Sequence, residues 1–185
     1  MKECRYIPRL ETERLVLRQL TEDDTEDLRK WLGLDEVYTW WGRPASKGEK
    51  NPELLFTDPR PNVKRKPSHD FLWGIALKST GRVIGMIEVF DVENDRFGMV
   101  GYRIAPWLWR EGICTEALCG VIKFIFSETG IDRLQGNVDV RNVASNRVLQ
   151  KCGFLLEGTI RHGKFVSRYC DYNIWGLIQE DVVGT

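Results

Sequence analysis

Apolar residues recur along this chain with two periods, and the switches between them divide it into elements. Leu15, Leu17 and Leu20 alternate with polar neighbours, the spacing of a strand. Thr21 follows as a helix N-cap with Asp24 at N3, and the helix it opens runs to Leu32 and stops at Gly33. Periodicity then fades over residues 35–68, a proline-rich stretch in which the pattern predicts only a helix fragment near residues 51–56 within a long loop. Alternation returns at residues 71–78, 83–91 and 97–105. "STG" and "VENDR" separate these runs, and both suit hairpin connections, so an antiparallel meander is expected. Residues 115–129 change to helical spacing, with Ala117, Leu118, Val121, Ile122, Ile125 and Phe126 on one face and Gly130 after the end. A strand at 133–140 follows by a crossover and is expected parallel to the one before. A helix at 142–152 closes at Gly153, and "FLLEGTIRHGKFVSRYCDYNIWGLI" reads as two strands joined near His162 and Gly163.

Composition narrows the function classes. A length of 185 residues suits one domain spanning the chain. Basic and acidic residues number 27 each, so no net charge draws the chain to nucleic acid or an anionic membrane. No apolar run approaches the ~20 residues of a membrane helix. The start, "MKECRYIPRLETERL", lacks the apolar core of a signal peptide. Five cysteines without a framework spacing are expected as free thiols in a reducing, cytoplasmic setting. Cys114 and Cys119 stand at i and i+5 and do not look like a zinc pair, so no metal is expected.

The candidate chemistry lies where the strand "VGYRIA" gives way to the turn Arg110-Glu111-Gly112 and then to a helix. The first N–H groups of a helix lack intrahelical partners, and the helix dipole adds positive character there. A glycine just before them permits a close backbone approach or a positive φ. Together these features suit a phosphate; the other reading is a tight strand-to-helix connection that happens to contain a glycine.

Two longer blocks extend this reading. "GYRIAPWLWREGICTEAL" resembles the cofactor loop of the GNAT acetyltransferase superfamily, most closely its Rim-type branch, through Gly101, Tyr102, Pro106, Trp109, Gly112, Thr115, Glu116 and Ala117. "NVDVRNVASNRVLQKCGF" is similar to the second family block through Asn142, Ser145, Lys151, Gly153 and Phe154. The resemblance implies a three-layer α+β fold: a mixed, mostly antiparallel twisted sheet of about seven strands, a splayed parallel pair, and helices on both faces. It implies acetyl-CoA as cofactor, the diphosphate on the N–H groups from Arg110 to Thr115 and the pantetheine arm between the strands ending at Ala105 and Val140. A β-bulge within residues 99–105 is expected to free backbone groups for that arm. The implied cofactor contacts are Tyr102, Ile104, Ala105, Trp109, Arg110, Glu111, Gly112, Ile113, Cys114, Thr115, Asn142, Ser145 and Lys151. Arg110 either meets a phosphate or is solvated, and Cys114 is either a packed thiol or oxidation-sensitive.

The implied reaction is direct transfer of acetyl from the thioester to an amine. Alignment and one backbone oxyanion donor supply much of the rate. The tyrosine that many relatives use as acid is Leu149 here, and Ser145 is the substitute, or else a serine bonding its own helix. Asn142 is an N-cap, a pantetheine contact, or both. Met99 stands where relatives carry a carboxylate base; Glu88, within an apolar strand, is the candidate base, with a solvated glutamate and a water relay as rivals. Tyr102, His69, His162 and Asp171 are weaker candidates. Tyr38, Trp40 and Trp41 form an acceptor wall able to hold an ammonium, or belong to the core. Lys64-Arg65-Lys66 is a solvated loop or an anion lure. Three functions follow: an N-acetyltransferase for a protein N-terminal or peptide-like amine, one for a polyamine, antibiotic or amino sugar, or a non-catalytic acyl-CoA-binding module. The chain is expected as a monomer or homodimer.

Overall fold

β1 (Leu10–Glu11), β2 (Leu15–Arg18), β3 (Phe71–Leu77), β4 (Val83–Glu93), β5 (Phe97–Ile104), β6 (Arg133–Asp139), β7 (Leu155–Phe165) and β8 (Arg168–Ile178) form one sheet in the order β1-β2-β3-β4-β5-β6-β8-β7. The computed structural model describes residues 7–41, 51–52 and 71–183. Lys64-Arg65-Lys66, His69 and all but the first two residues of the expected 51–56 helix lie outside them. The described helices are α1 (Thr25–Leu32), α2 (Ile113–Glu128), α3 (Val143–Lys151) and the short α4 (Gln179–Val183).

Apolar alternation on the central strands divides the core in two. Ile84, Ile87 and Val89 of β4 and Val100 and Ile104 of β5 pack with Leu118, Val121, Ile122 and Ile125 of α2 and Leu149 of α3. Val83 and Met86 point the other way, onto Leu28, Trp31 and Leu32 of α1. The sheet is therefore sandwiched between α1 and the α2–α3 pair. Burying a side chain such as Leu118 or Ile125 stabilises this arrangement by roughly 1.5–3 kcal/mol each. The helix expected from Thr21 begins as a 3-10 turn, Glu22–Asp24, and becomes α-helical at Thr25. Asp24 is buried there. It accepts the Thr21 N–H at 2.9 Å and takes both Arg18 guanidinium nitrogens at 2.8 and 2.7 Å.

The opening that matters for function lies between β5 and β6. They pair in parallel only at Phe97↔Arg133, Gly98↔Leu134 and Met99↔Gln135. Beyond that point β5 runs on to Ile104 and β6 to Asp139 without pairing, which leaves a wedge. The bulge expected within residues 99–105 is absent: β5 stays in unbroken register with β4 from Met99 to Ile104. The register shift lies instead between Phe90 and Glu93, where Asp91 has φ +50°. Backbone groups on β5 are thus freed by divergence from β6 rather than by a bulge.

The last hairpin also departs from expectation. β7 and β8 join through Val166 and Ser167, not His162 and Gly163. Val166 has φ +57°, a conformation that β-branched residues rarely adopt. His162 and Gly163 lie at a register shift within β7. A Cβ on Gly163 would come 2.5 Å from Ile160 Cγ2 and 2.7 Å from Tyr172 Cε1, so close approach demands this glycine.

Candidate active site

The chain leaves β5 through a 3-10 turn, Pro106–Leu108, and enters α2 by way of Arg110, Glu111 and Gly112. Arg110 (φ +70°) and Gly112 (φ +76°) are both left-handed. Left-handed residues in such a turn curl successive N–H groups into a concavity that suits an anion. The first helical bond of α2 runs from the Glu116 N–H to the Gly112 carbonyl at 3.0 Å. The N–H groups of Ile113, Cys114 and Thr115 precede it and have no helical acceptor. A Cβ on Gly112 would meet only Arg14 Nη2, at 3.5 Å. The positive φ, not crowding by the protein, is what requires glycine here.

Glu116 fastens this turn to the N-terminal strands. Its Oε1 accepts the Thr12 hydroxyl at 2.5 Å and the Arg14 N–H at 2.7 Å, and its Oε2 takes Arg14 Nε at 2.6 Å. Arg14 also donates to the Glu111 carbonyl at 3.0 Å. Burial pushes the Glu116 carboxyl up, but these hydrogen bonds outweigh it and hold it below the ordinary value. The sequence motif marks Glu116 without revealing this role, because its partners lie about a hundred residues away.

At the wedge, the Ala105 N–H donates to the Ile84 carbonyl at 2.8 Å. The alternation of an antiparallel ladder then sends the main-chain groups of Tyr102 and Ile104 the other way, toward β6. The Ile104 carbonyl accepts Trp109 Nε1 at 2.9 Å, which lays the half-exposed indole beside the opening. The side chains of Ile104 and Ile113 are buried in the core, as is Ala105, so these residues offer a ligand only backbone. The Tyr102 hydroxyl lies 2.8 Å from Ser145 Oγ. Burial pushes the Tyr102 phenol well above its usual range, so it stays protonated. Asn142 accepts the Ser145 N–H at 3.2 Å and so does cap α3. Lys151 is exposed at the other end of that helix. Cys114 packs partly buried against the core, and burial pushes its thiol up to about 12, which favours a packed thiol over an oxidation-sensitive one.

The opposite face of the sheet carries the other candidates. Glu88 pairs across from Gly101, and a Cβ on that glycine would sit 3.3 Å from Glu88 Oε1, so the carboxylate leans over β5. Glu88 is therefore on the α1 face, while Tyr102 and Ser145 lie on the α2–α3 face. Tyr38 is buried and donates to the Leu32 carbonyl at 2.9 Å. The Arg103 guanidinium stacks on Tyr38 at 5.6 Å and on Trp41 at 4.5 Å, and that of Arg141 lies 5.7 Å from the Trp40 ring. Each ring offered to a substrate ammonium thus already holds a cation of the protein. Asp139, fully buried, accepts from Arg141 Nη2 at 2.7 Å and Arg168 Nη2 at 2.8 Å; Arg141 above all holds its carboxyl far below the usual range. Two weaker candidates lie apart from this geometry: Asp171 accepts the His162 N–H at 2.7 Å within the last hairpin.

Asn146 had escaped the sequence reading. Its amide donates to the carbonyls of Asp139 (3.1 Å) and Asn142 (2.8 Å), and its Oδ1 accepts from Asn173 and Trp175, both at 2.8 Å. It ties α3 to β6 and β8, which sets Ser145 against Tyr102. The asparagine sits beside the motif, but only the fold reveals four partners. The described residues contain no cluster suited to a metal and no helix long and apolar enough to cross a membrane.

A family model described as an acetyltransferase (GNAT) domain matches residues 14–155. The chain belongs to the GNAT acetyltransferase family. It is an acyltransferase of the N-acetyltransferase kind, and the family uses acetyl-CoA. This GNAT chain is 30% identical over 174 residues to the uncharacterized N-acetyltransferase YoaA of Bacillus subtilis strain 168, covering 93% of this chain and 97% of that protein. Its fold is similar to ribosomal-protein-S5-alanine acetyltransferase from Vibrio fischeri, with TM-score 0.76, 19% identity and coverage of 94% and 98% of the two chains. It is also similar to spermidine N-acetyltransferase from Vibrio cholerae in complex with CoA and spermine, with TM-score 0.73, 18% identity and coverage of 92% and 98%. The main-chain groups of this GNAT site fit the cofactor's chemistry: curled amides before α2 suit a diphosphate, and the wedge presents backbone groups suited to the amides of an extended arm.

Proposed function

We propose that this protein is an acetyl-CoA-dependent N-acetyltransferase acting on a protein N-terminal or peptide-like amine. Fold similarity does not choose the acceptor, since a ribosomal-protein enzyme and a spermidine enzyme both share it. The observation that carries the choice is the acceptor face. Its rings are stacked on Arg103 and Arg141, and Asp139 is spent on Arg141 and Arg168. A polycation finds its ring faces and this carboxylate already taken by arginines, whereas a peptide offers carbonyl groups to them.

Acetyl-CoA, when bound, supplies an acetyl thioester. Amides from Arg110 to Thr115 would hold the diphosphate, and main-chain groups of Tyr102 with the Ile104 N–H would line up the arm in the wedge. Ser145, hydrogen-bonded to a protonated Tyr102, would give a proton to the leaving sulfur, a role this contact supports. Glu88, directly or through a water, takes the proton of the amine from the other face of the sheet. The wedge lets the two reactants meet from opposite sides, and holding them so accounts for much of the rate, up to ~7–11 kcal/mol. The test is thiol release from acetyl-CoA with a panel of amines. Free-N-terminal peptides should turn over with at least about tenfold higher kcat/KM than spermidine or an aminoglycoside, and N-blocked peptides should not react. A preference for spermidine overturns the acceptor; CoA binding without thioester consumption overturns the enzyme.

A further inference from the structure

Two cysteines outside this machinery face each other across the helix pair. Cys119, in the second turn of α2, is exposed; Cys152, the C-cap of α3, is buried. Their Sγ atoms lie 3.7 Å apart, and the single Cys152 S–H lies within reach of either the Cys119 sulfur or the Thr115 carbonyl, 3.6 Å away. The sequence separates them by 33 residues, so only the packing of α2 on α3 brings them together.

We propose that Cys119 and Cys152 form a thiol pair that a peroxide converts to a disulfide, and that the bond changes how α2 presents its phosphate-binding turn. The exposed partner is the one able to react first. When the Cys152 S–H turns toward it, that hydrogen bond lowers the Cys119 thiol below its ordinary value against the opposing effect of burial, which favours its thiolate over that of Cys152. The Cys119 thiolate attacks one peroxide oxygen; the O–O bond breaks, Cys119 becomes a sulfenic acid and the other oxygen leaves as water after taking a proton. The Cys152 sulfur then attacks the Cys119 sulfur, the S–O bond breaks, and a second water departs with the Cys152 proton. Two thiols and one peroxide thus give one disulfide and two waters. Cys114 does not compete, since its thiol stays protonated.

Closure moves the helices. The sulfurs must approach from 3.7 Å to roughly 2.05 Å, and Cys152 loses the proton within reach of Thr115. Thr115 belongs to the turn that presents amides to the diphosphate, so the displacement reaches the cofactor site. This second part rests on the cofactor reading given above.

The experiment treats the full chain with stoichiometric hydrogen peroxide, alkylates it and maps peptides without reduction. A Cys119–Cys152 cross-link that dithiothreitol removes is expected. Cys119→Ser should not form it, and Cys152→Ser should stop at a dimedone-reactive sulfenic acid on Cys119. A map with no such cross-link after Cys119 is consumed, or with either cysteine bridged elsewhere, overturns the pair. CoA affinity of bridged protein should be about tenfold weaker than that of reduced protein, in line with the large effects of ångström-scale displacement. Equal affinities overturn the coupling while the map still decides the bond. Reduced protein that binds no CoA overturns the cofactor reading and the coupling with it.

Discussion

Glu116→Ala removes the fastening between the N-terminal strands and the turn that opens α2. The Thr12 hydroxyl and the Arg14 N–H each lose a charged acceptor, at 2.5 and 2.7 Å, worth about 1.5 kcal/mol apiece. The Arg14 guanidinium is 45% exposed, so its ion pair adds no more than about 0.5 kcal/mol. The expected loss is about 3 kcal/mol, which for a chain of this size lowers Tm by roughly 6–12 °C. Glu116→Gln keeps one oxygen for Thr12 and the Arg14 N–H and should cost only about 1 kcal/mol. The carboxyl is held below its ordinary 4.5 in the fold, so its stabilisation is full above that value and is lost as pH falls through the folded value. The stability gap between wild type and Glu116→Gln, read by urea denaturation, should therefore be constant near neutrality and narrow in acid. An alanine variant melting within about 2 °C of wild type, or a gap that does not change on acidification, refutes the reasoning.

Other outcomes follow from the same geometry. Arg110→Gly should raise stability by about 1 kcal/mol in denaturant titration, because the cost of a non-glycine residue at φ +70° exceeds the entropy glycine adds to the unfolded chain. Gly112→Glu places at the amide cradle a carboxylate that repels the diphosphate, and a side chain at φ +76°; CoA binding should vanish in calorimetry while circular dichroism keeps the folded spectrum at a cost of about 1–2 kcal/mol. Ser145→Ala should lower kcat by about a hundredfold, the low end of general acid catalysis, and should lower CoA affinity much less; an unchanged kcat removes the serine from proton transfer. Asp139→Ala strands the part-buried Arg168 and should cost about 3 kcal/mol, seen as a lower denaturation midpoint.

Much of the fold was legible because its signals are local. The strands from residue 71 to residue 104, the crossover and both helices of the cofactor motifs follow from period and punctuation, and Gly112 was marked for a close backbone approach or a positive φ, of which the structure shows the second. The same locality explains the errors. The turn at Val166 and Ser167 carries no glycine or asparagine cue, so His162-Gly163 drew the prediction although that glycine serves a close approach to Ile160 and Tyr172. The wedge looked as if it needed a bulge in β5; the strand stays zipped to β4 and the opening comes from β6 turning away.

By itself the sequence determined the order of the main elements, the special glycine before α2 and the family blocks around Tyr102, Gly112, Asn142 and Ser145, because local conformational demands and amphipathic spacing are written within a few residues. Tertiary structure alone decided that Glu116 locks onto Thr12 and Arg14, that Ser145 meets Tyr102 while Glu88 takes the other face, that Tyr38, Trp40 and Trp41 hold arginines, and that Cys119 meets Cys152. Those are contacts between residues far apart in the chain, and such contacts depend on how α2 and α3 pack on the sheet rather than on any short pattern that could announce them.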